Sequence, residues 1–197
     1  MLAKHIPNAI TISRVISTFL MVFYYYFKAP FYQEVLFFVF TISSISDFFD
    51  GYLSRKWNVV SNLGTCLDPI SDKLLTITCL VLLIDAKGVN LIFAFIIVMR
   101  EIIISGLREF LSLSKIELPV SRVAKWKTAF QLIGIGTCFF AQSKHFPIWT
   151  EAYIKFPPFN FLVKNVDALA QITMTLAVIT TLYTGILYII NSAKYLK

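Results

Sequence analysis

Four carboxylates in residues 47 to 72 are the part of this sequence most capable of chemistry. Asp47 and Asp50 stand three apart, and Asp68 and Asp72 stand four apart. At helical spacing, residues three or four apart share a face, so each pair projects from one side of its helix. Between the pairs runs GYLSRKWNVVSNLGTCL, with glycines and an asparagine that let a chain turn back. Two helices joined in this way can aim all four aspartates into one pocket, where the carboxylates repel one another unless they share a cation. An all-oxygen ligand set without Cys or His favours Mg²⁺ or Mn²⁺ over zinc. A Mg²⁺ that keeps part of its coordination for substrate phosphates is the usual arrangement in phosphoryl transfer. Asp68 precedes Pro69, a pairing that suits a helix N-terminus, where a carboxylate is also favoured by the helix dipole. The competing reading makes the aspartates helix caps that pair with Arg55, Lys56 and Lys73.

The elements that must position these carboxylates are membrane helices. Of 197 residues, 57% are apolar and only 15% are charged, far from a soluble globular composition. Several apolar runs approach the ~20 residues needed to cross a ~30 Å hydrocarbon core. Polar punctuation divides them into six spans, at about 9–27, 32–53, 69–84, 89–113, 124–141 and 167–191. The expected fold is therefore all-α, a single polytopic membrane domain over residues 1–197 with six transmembrane helices. Lys28, Ala29 and Pro30 end the first span, and DAKGVN, with Gly88, makes a turn after the third. SKHFPIWTEAYIKFPPFNFLVKN reads as a loop at headgroup level, where Trp149 and Tyr153 are comfortable. The N-terminal stretch has a charged head and an apolar run but no small-residue cleavage site, and is expected to stay as the first helix.

An even number of spans places both termini on one side. Lys4, Arg55, Lys56, Lys115, Arg122, Lys125, Lys127, Lys194 and Lys197 gather there, against Lys28, Lys87, Lys144, Lys155 and Lys164 opposite. The positive excess puts the termini, and with them the aspartates, in the cytoplasm. The net charge of +7 then reports orientation and contact with anionic membrane lipids rather than a nucleic-acid partner. Cys66, Cys79 and Cys138 are scattered without CxxC spacing and serve as small apolar fillers. His5 and His145 lack a second His or Cys at ligand spacing and are not expected to bind metal.

An aspartate at the centre of a membrane helix costs at least ~2.5–3.5 kcal/mol, so intramembrane charges need partners. Arg100 lies well inside the fourth span, and Arg108 follows eight residues on. With Lys125 and Lys127 they form a basic set suited to a phosphate group. Arg100 is equally open to an ion pair with Glu101 or an aspartate, and Lys125 and Lys127 to a role in orientation alone.

Written as a pattern, SDFFDGYLSRKWNVVSNLGTCLDPISD is D-x-x-D-G-x-x-S-R, eight residues, then G-x-x-x-D-x-x-x-D. It resembles the motif of the CDP-alcohol phosphatidyltransferases, a family of six-helix membrane enzymes, with Asp47, Asp50, Gly51, Arg55, Gly64, Asp68 and Asp72 at the family spacing. Ser54 departs from it, standing where the family usually has alanine. PNAITISR supplies Asn8, Thr11 and Arg14 at the spacing that accompanies the motif, and MREIIISGLREF and SRVAKWKTAFQ look like the phosphatidylglycerophosphate synthase branch.

The resemblance implies transfer of a phosphatidyl group from CDP-diacylglycerol to an alcohol, with release of CMP. Asp47, Asp50 and Asp68 would hold metal on the diphosphate. Asp72 would share the second of two Mg²⁺ or Mn²⁺ ions and act as general base. Asn8, Thr11, Arg14, Gly51, Ser54, Arg55 and Gly64 would line the CDP-lipid site, and the branch implies glycerol 3-phosphate as acceptor, bound by Arg100, Arg108, Lys125 and Lys127. It also implies a homodimer in the inner (cytoplasmic) membrane. Rival readings are a relative that uses inositol phosphate or serine, a membrane prenyltransferase, and a divalent-cation transporter. The last has no need of Gly51, Arg55 and Gly64 at fixed spacing.

Overall fold

The computed structural model describes the backbone of residues 6–57, 62–113, 122–143 and 157–195, with positions 145, 146 and 148. Seven helices follow in order among the described residues: α1 (Ile6–Tyr26), α2 (Tyr32–Trp57), α3 (Asn62–Asp85), α4 (Leu91–Leu113), α5 (Arg122–Gln142), α6 (Pro157–Lys164) and α7 (Val166–Ala193). No strand occurs among them. Two of the helices, α1 over Ala9–Tyr26 and α7 over Val166–Ala193, are long and apolar enough to cross a membrane.

Polarity is distributed as in a protein that faces lipid. Large apolar side chains point outward, among them Phe19, Phe23, Phe95, Ile102, Ile172 and Ile179. Thr11, Arg14, Ser71, Lys127, Gln131 and Thr181 are buried. An apolar exterior this extensive marks a surface that meets something other than water. The interior also has an apolar core, in which Met21, Leu36, Leu80, Leu83, Ile97 and Ile135 are almost completely enclosed. Cys79 and Cys138 belong to that core, as small apolar fillers should.

Side-chain contacts fix the helix register. Thr11 meets Asp68 and Tyr25 meets Asp85, so α1 and α3 run parallel along their length. Ser17 lies 3.3 Å from Ser43 across the antiparallel α1 and α2 pair. The most extensive packing joins α5 to α7. There the Thr137 and Thr173 hydroxyls lie 3.1 Å apart, and a Cβ at Gly134 would sit 2.7 Å from Met174 Sδ. Any side chain larger than hydrogen there must displace Met174, whose backbone nitrogen would stand 3.4 Å from the added Cβ. Gly134→Val is expected to destabilise the protein by about 1–3 kcal/mol through overpacking, read as a lower melting temperature in detergent.

Several boundaries differ from the sequence expectation. The third helix begins at Asn62, not near residue 69, and the second continues to Trp57. Gly51 and Gly64 are therefore helical, and Asp68 and Pro69 lie inside α3 rather than at its N-terminus. The proline forfeits one helical hydrogen bond. Ending the helix there would leave the first N–H groups of a new helix to be capped afresh, a larger cost. Residues 58–61, between the two helices, lie outside the described set. The loop expected over 143–165 contains the short helix α6, whose apolar residues between Pro157 and Lys164 are too few to read as a helix by periodicity. In the turn after α3, Lys87 rather than Gly88 takes the left-handed conformation, with φ 58°. Gly88 instead allows close approach, since a Cβ there would lie 3.1 Å from the Gln142 side chain. Lys28 and Phe31, at φ 44° and 56°, make the turn around Pro30.

At the end of α2 away from the aspartates, Glu34 is buried and ties down the segment after α5. Its Oε1 accepts hydrogen bonds from Ser143 Oγ at 2.5 Å and from the His145 backbone N–H at 3.3 Å, and it meets His145 Nδ1 at 2.9 Å. His145 thus has a carboxylate partner that its position in the sequence does not reveal.

Candidate active site

The parallel pair α1 and α3 brings together four of the residues singled out in the sequence. Thr11 and Arg14 are three apart on α1, and Asp68 and Asp72 are four apart on α3, so each pair presents one face to the other helix. Thr11 Oγ1 donates to Asp68 Oδ1 at 2.5 Å. Arg14 Nη1 forms an ion pair with Asp72 Oδ1 and donates to Ser71 Oγ at 3.3 Å. Ser71 in turn donates to the Asp68 carbonyl at 3.0 Å. The cation is deeply buried, at 2% exposure, while the Asp72 side chain is 48% exposed. Arg14 therefore grips the carboxylate from the protein side and leaves it accessible from the other.

Two carboxylates of this set could form part of a divalent-cation site, and among the described residues no third acidic, His or Cys ligand joins them. Asp68 and Asp72 are both exposed carboxylates, one helical turn apart on one face, and supply only hard oxygen donors. Asp47 and Asp50 lie on helical backbone in α2, but their side chains fall outside the described residues. The antiparallel register set by Ser17 and Ser43 brings the α2 backbone at Asp47 level with Ser13 and at Asp50 level with Ile10. The backbone positions of all four aspartates thus belong to one layer of the bundle. The side chains of Asn8, Gly51, Ser54, Arg55, Gly64 and Lys125 also lie outside the described residues.

A second polar cluster joins α4, α5 and α7. Lys127, 6% exposed, forms an ion pair with Glu101. Arg100 Nη1 lies 3.6 Å from the same carboxylate, and Arg100 Nη2 donates to Thr184 Oγ1 at 3.3 Å. Gly185 makes room for the arginine stem, since a Cβ there would stand 3.1 Å from Arg100 Cγ. Of the proposed acceptor residues, the structure joins Arg100 and Lys127 through Glu101. Arg108, two turns further along α4, is exposed, and its charge is felt by both Arg100 and Lys127.

The sequence reading offered Glu101 as a partner for Arg100 but did not connect it to Lys127, and it missed Thr184. A signal was present, because Lys127 and Gln131 stand one turn apart in a helix otherwise rich in apolar residues. A lysine that served orientation alone would not be enclosed in this way.

Known proteins resemble this chain over most of its length. A family model for CDP-alcohol phosphatidyltransferase matches residues 4–183. A CDP-diacylglycerol--glycerol-3-phosphate 3-phosphatidyltransferase of Rickettsia bellii is 32% identical over 192 residues, covering 98% of this chain and 97% of that protein. Proteins of the same name from Cereibacter sphaeroides and Haemophilus influenzae are each 37% identical. The first alignment covers 68% of this chain and 62% of the relative, and the second 67% and 74%. With the family model spanning nearly all of it, this chain belongs to the CDP-alcohol phosphatidyltransferase family.

Proposed function

We propose that this protein transfers the phosphatidyl group of CDP-diacylglycerol to glycerol 3-phosphate, yielding phosphatidylglycerophosphate and CMP. The observation that carries the reading is the pair of accessible carboxylates, Asp68 and Asp72, held from α1 by Thr11 and Arg14. The names of the relatives supply the two substrates. Asp47, Asp50, Asp68 and Asp72 would hold two Mg²⁺ or Mn²⁺ ions. Bound there, the ions would supply charge neutralisation on the diphosphate and on the departing CMP.

The chain's own groups do the rest. Arg14 orients Asp72 through their ion pair, so that the carboxylate faces the accessible side of α3. Asp72 takes the proton of the acceptor's primary hydroxyl as its oxygen bonds to the phosphorus that carries diacylglycerol. The bond from that phosphorus to CMP breaks, and CMP leaves with the electron pair. Asn8, Thr11, Gly51, Ser54, Arg55 and Gly64 line the CDP-lipid site alongside Arg14. Arg100, Arg108, Lys125 and Lys127 attract the acceptor phosphate, with Arg100 and Lys127 innermost. The protein is a homodimer of six-span subunits in the inner membrane, with both termini and the aspartates on the cytoplasmic side.

The test is CMP release by purified protein given CDP-diacylglycerol, Mg²⁺ or Mn²⁺, and one acceptor at a time. Release is expected with glycerol 3-phosphate, and EDTA should abolish it until excess divalent ion is restored. Release with serine or inositol phosphate but not with glycerol 3-phosphate would refute the acceptor assignment. No release with any acceptor would refute the transferase reading.

A further inference from the structure

The cluster of Arg100, Glu101 and Lys127 carries more positive than negative charge. Glu101 serves two cations at once, Lys127 through a direct ion pair and Arg100 Nη1 from 3.6 Å. Arg108 adds its charge to the field on both cations. Three positive groups thus act around one carboxylate, where the lysine is 6% and the nearer arginine 14% exposed. Enclosed charge of one sign is costly without compensation, so this layer favours an anion that carries more charge than a carboxylate does.

Neighbouring helices fix the cations in place. The Arg100 stem lies against α7, where a Cβ on Gly185 would stand 3.1 Å from Cγ, and its Nη2 donates to Thr184 Oγ1 at 3.3 Å. Lys127 is enclosed on α5. The guanidinium is only partly matched by this arrangement. Nη1 at 3.6 Å is beyond hydrogen-bond reach of Glu101, and the buried Nε has no hydrogen-bond partner among the described residues. A phosphate monoester meets such a pair better than a side-chain carboxylate. It carries ~1.5–2 negative charges at neutral pH and three acceptor oxygens, enough to face a guanidinium fork and an ammonium together.

We infer that Glu101 is a resident counter-ion that the acceptor's phosphate must displace, and that its charge sets which acceptors the enzyme takes. Two anions cannot share the same two cations without repelling each other, so the hold of one opposes the binding of the other. A phosphate monoester overcomes the carboxylate by its greater charge, and an uncharged alcohol does not. The inference rests on the glycerol 3-phosphate reading and makes Glu101 a specificity-determining residue of that reaction.

Glu101→Gln tests it, since the amide removes the competing charge but keeps the size of the side chain and an oxygen for Lys127. The KM for glycerol 3-phosphate is expected to fall by roughly 5-fold or more, and the inhibition constant of inorganic phosphate to fall with it. The KM for CDP-diacylglycerol should stay as in wild type. A carboxylate that merely holds the cations in position would give the opposite sign, a raised KM for the acceptor, and that result overturns the inference. So does an unchanged KM. Should Glu101→Gln fail to fold unaided, inorganic phosphate during purification is expected to restore a cooperative melt that sodium chloride at the same ionic strength does not, because phosphate then stands in for the carboxylate. Absence of that rescue overturns the inference as well. If wild-type protein gives no turnover with glycerol 3-phosphate, the acceptor assignment itself fails. Inorganic phosphate then decides the counter-ion role alone, since it must raise the melting temperature of the variant more than that of wild type.

Discussion

Asp72→Asn is expected to lower CMP release by roughly 10³-fold or more while leaving the protein folded and able to bind CDP-diacylglycerol. Loss of a positioned base alone typically costs about 10²–10⁴ in rate, and the substitution also removes a proposed metal ligand. Asparagine keeps the size of the side chain and an oxygen acceptor, so Arg14 retains a hydrogen-bond partner where it now has an ion pair. Single-turnover CMP release and a lipid-binding titration, run on the same preparation, separate chemistry from binding. A folded variant with more than a tenth of wild-type turnover would remove Asp72 from the role of base. Unfolding would return the aspartate to the helix-pairing reading.

The second large effect concerns stability. Glu101→Ala removes the only carboxylate among the described residues that contacts Lys127 and Arg100, whose side chains are 6% and 14% exposed. Two cations are then left enclosed together, and breaking a buried pair from one side costs about 3–5 kcal/mol. A large fall in the melting temperature of the detergent-purified protein is the expected reading. Combining Glu101→Gln with Lys127→Met should destabilise less than the sum of the two single changes, because the second substitution removes the charge that the first stranded. Strict additivity would show that the contact between Lys127 and Glu101 contributes nothing to folding.

Much of the site was legible in the sequence because it depends on short spacings. The three- and four-residue intervals of the aspartates, and of Thr11 and Arg14, survive any error in helix boundaries. The boundary of α3 was misread because a proline after an aspartate usually opens a helix, whereas here the helix begins at Asn62 and runs through Pro69 at the loss of one hydrogen bond. The partners of Arg14 and Lys127 were hidden for a different reason. The parallel register of α1 and α3 pairs Arg14 with a residue 58 positions away, and neither composition nor periodicity carries that information. The same holds for Glu34, whose partners Ser143 and His145 follow α5.

The grip of α1 on α3 also bears on how the protein is made. Small zinc modules remain unfolded until their ion arrives, because their ligands have no other use for one another. Here Asp68 and Asp72 have companions encoded in the chain itself, a hydroxyl from Thr11 and a guanidinium from Arg14. Both companions precede the aspartates in the sequence and are therefore synthesised first. The third helix can dock against the first as soon as it emerges, and biogenesis need not wait on the supply of a divalent cation.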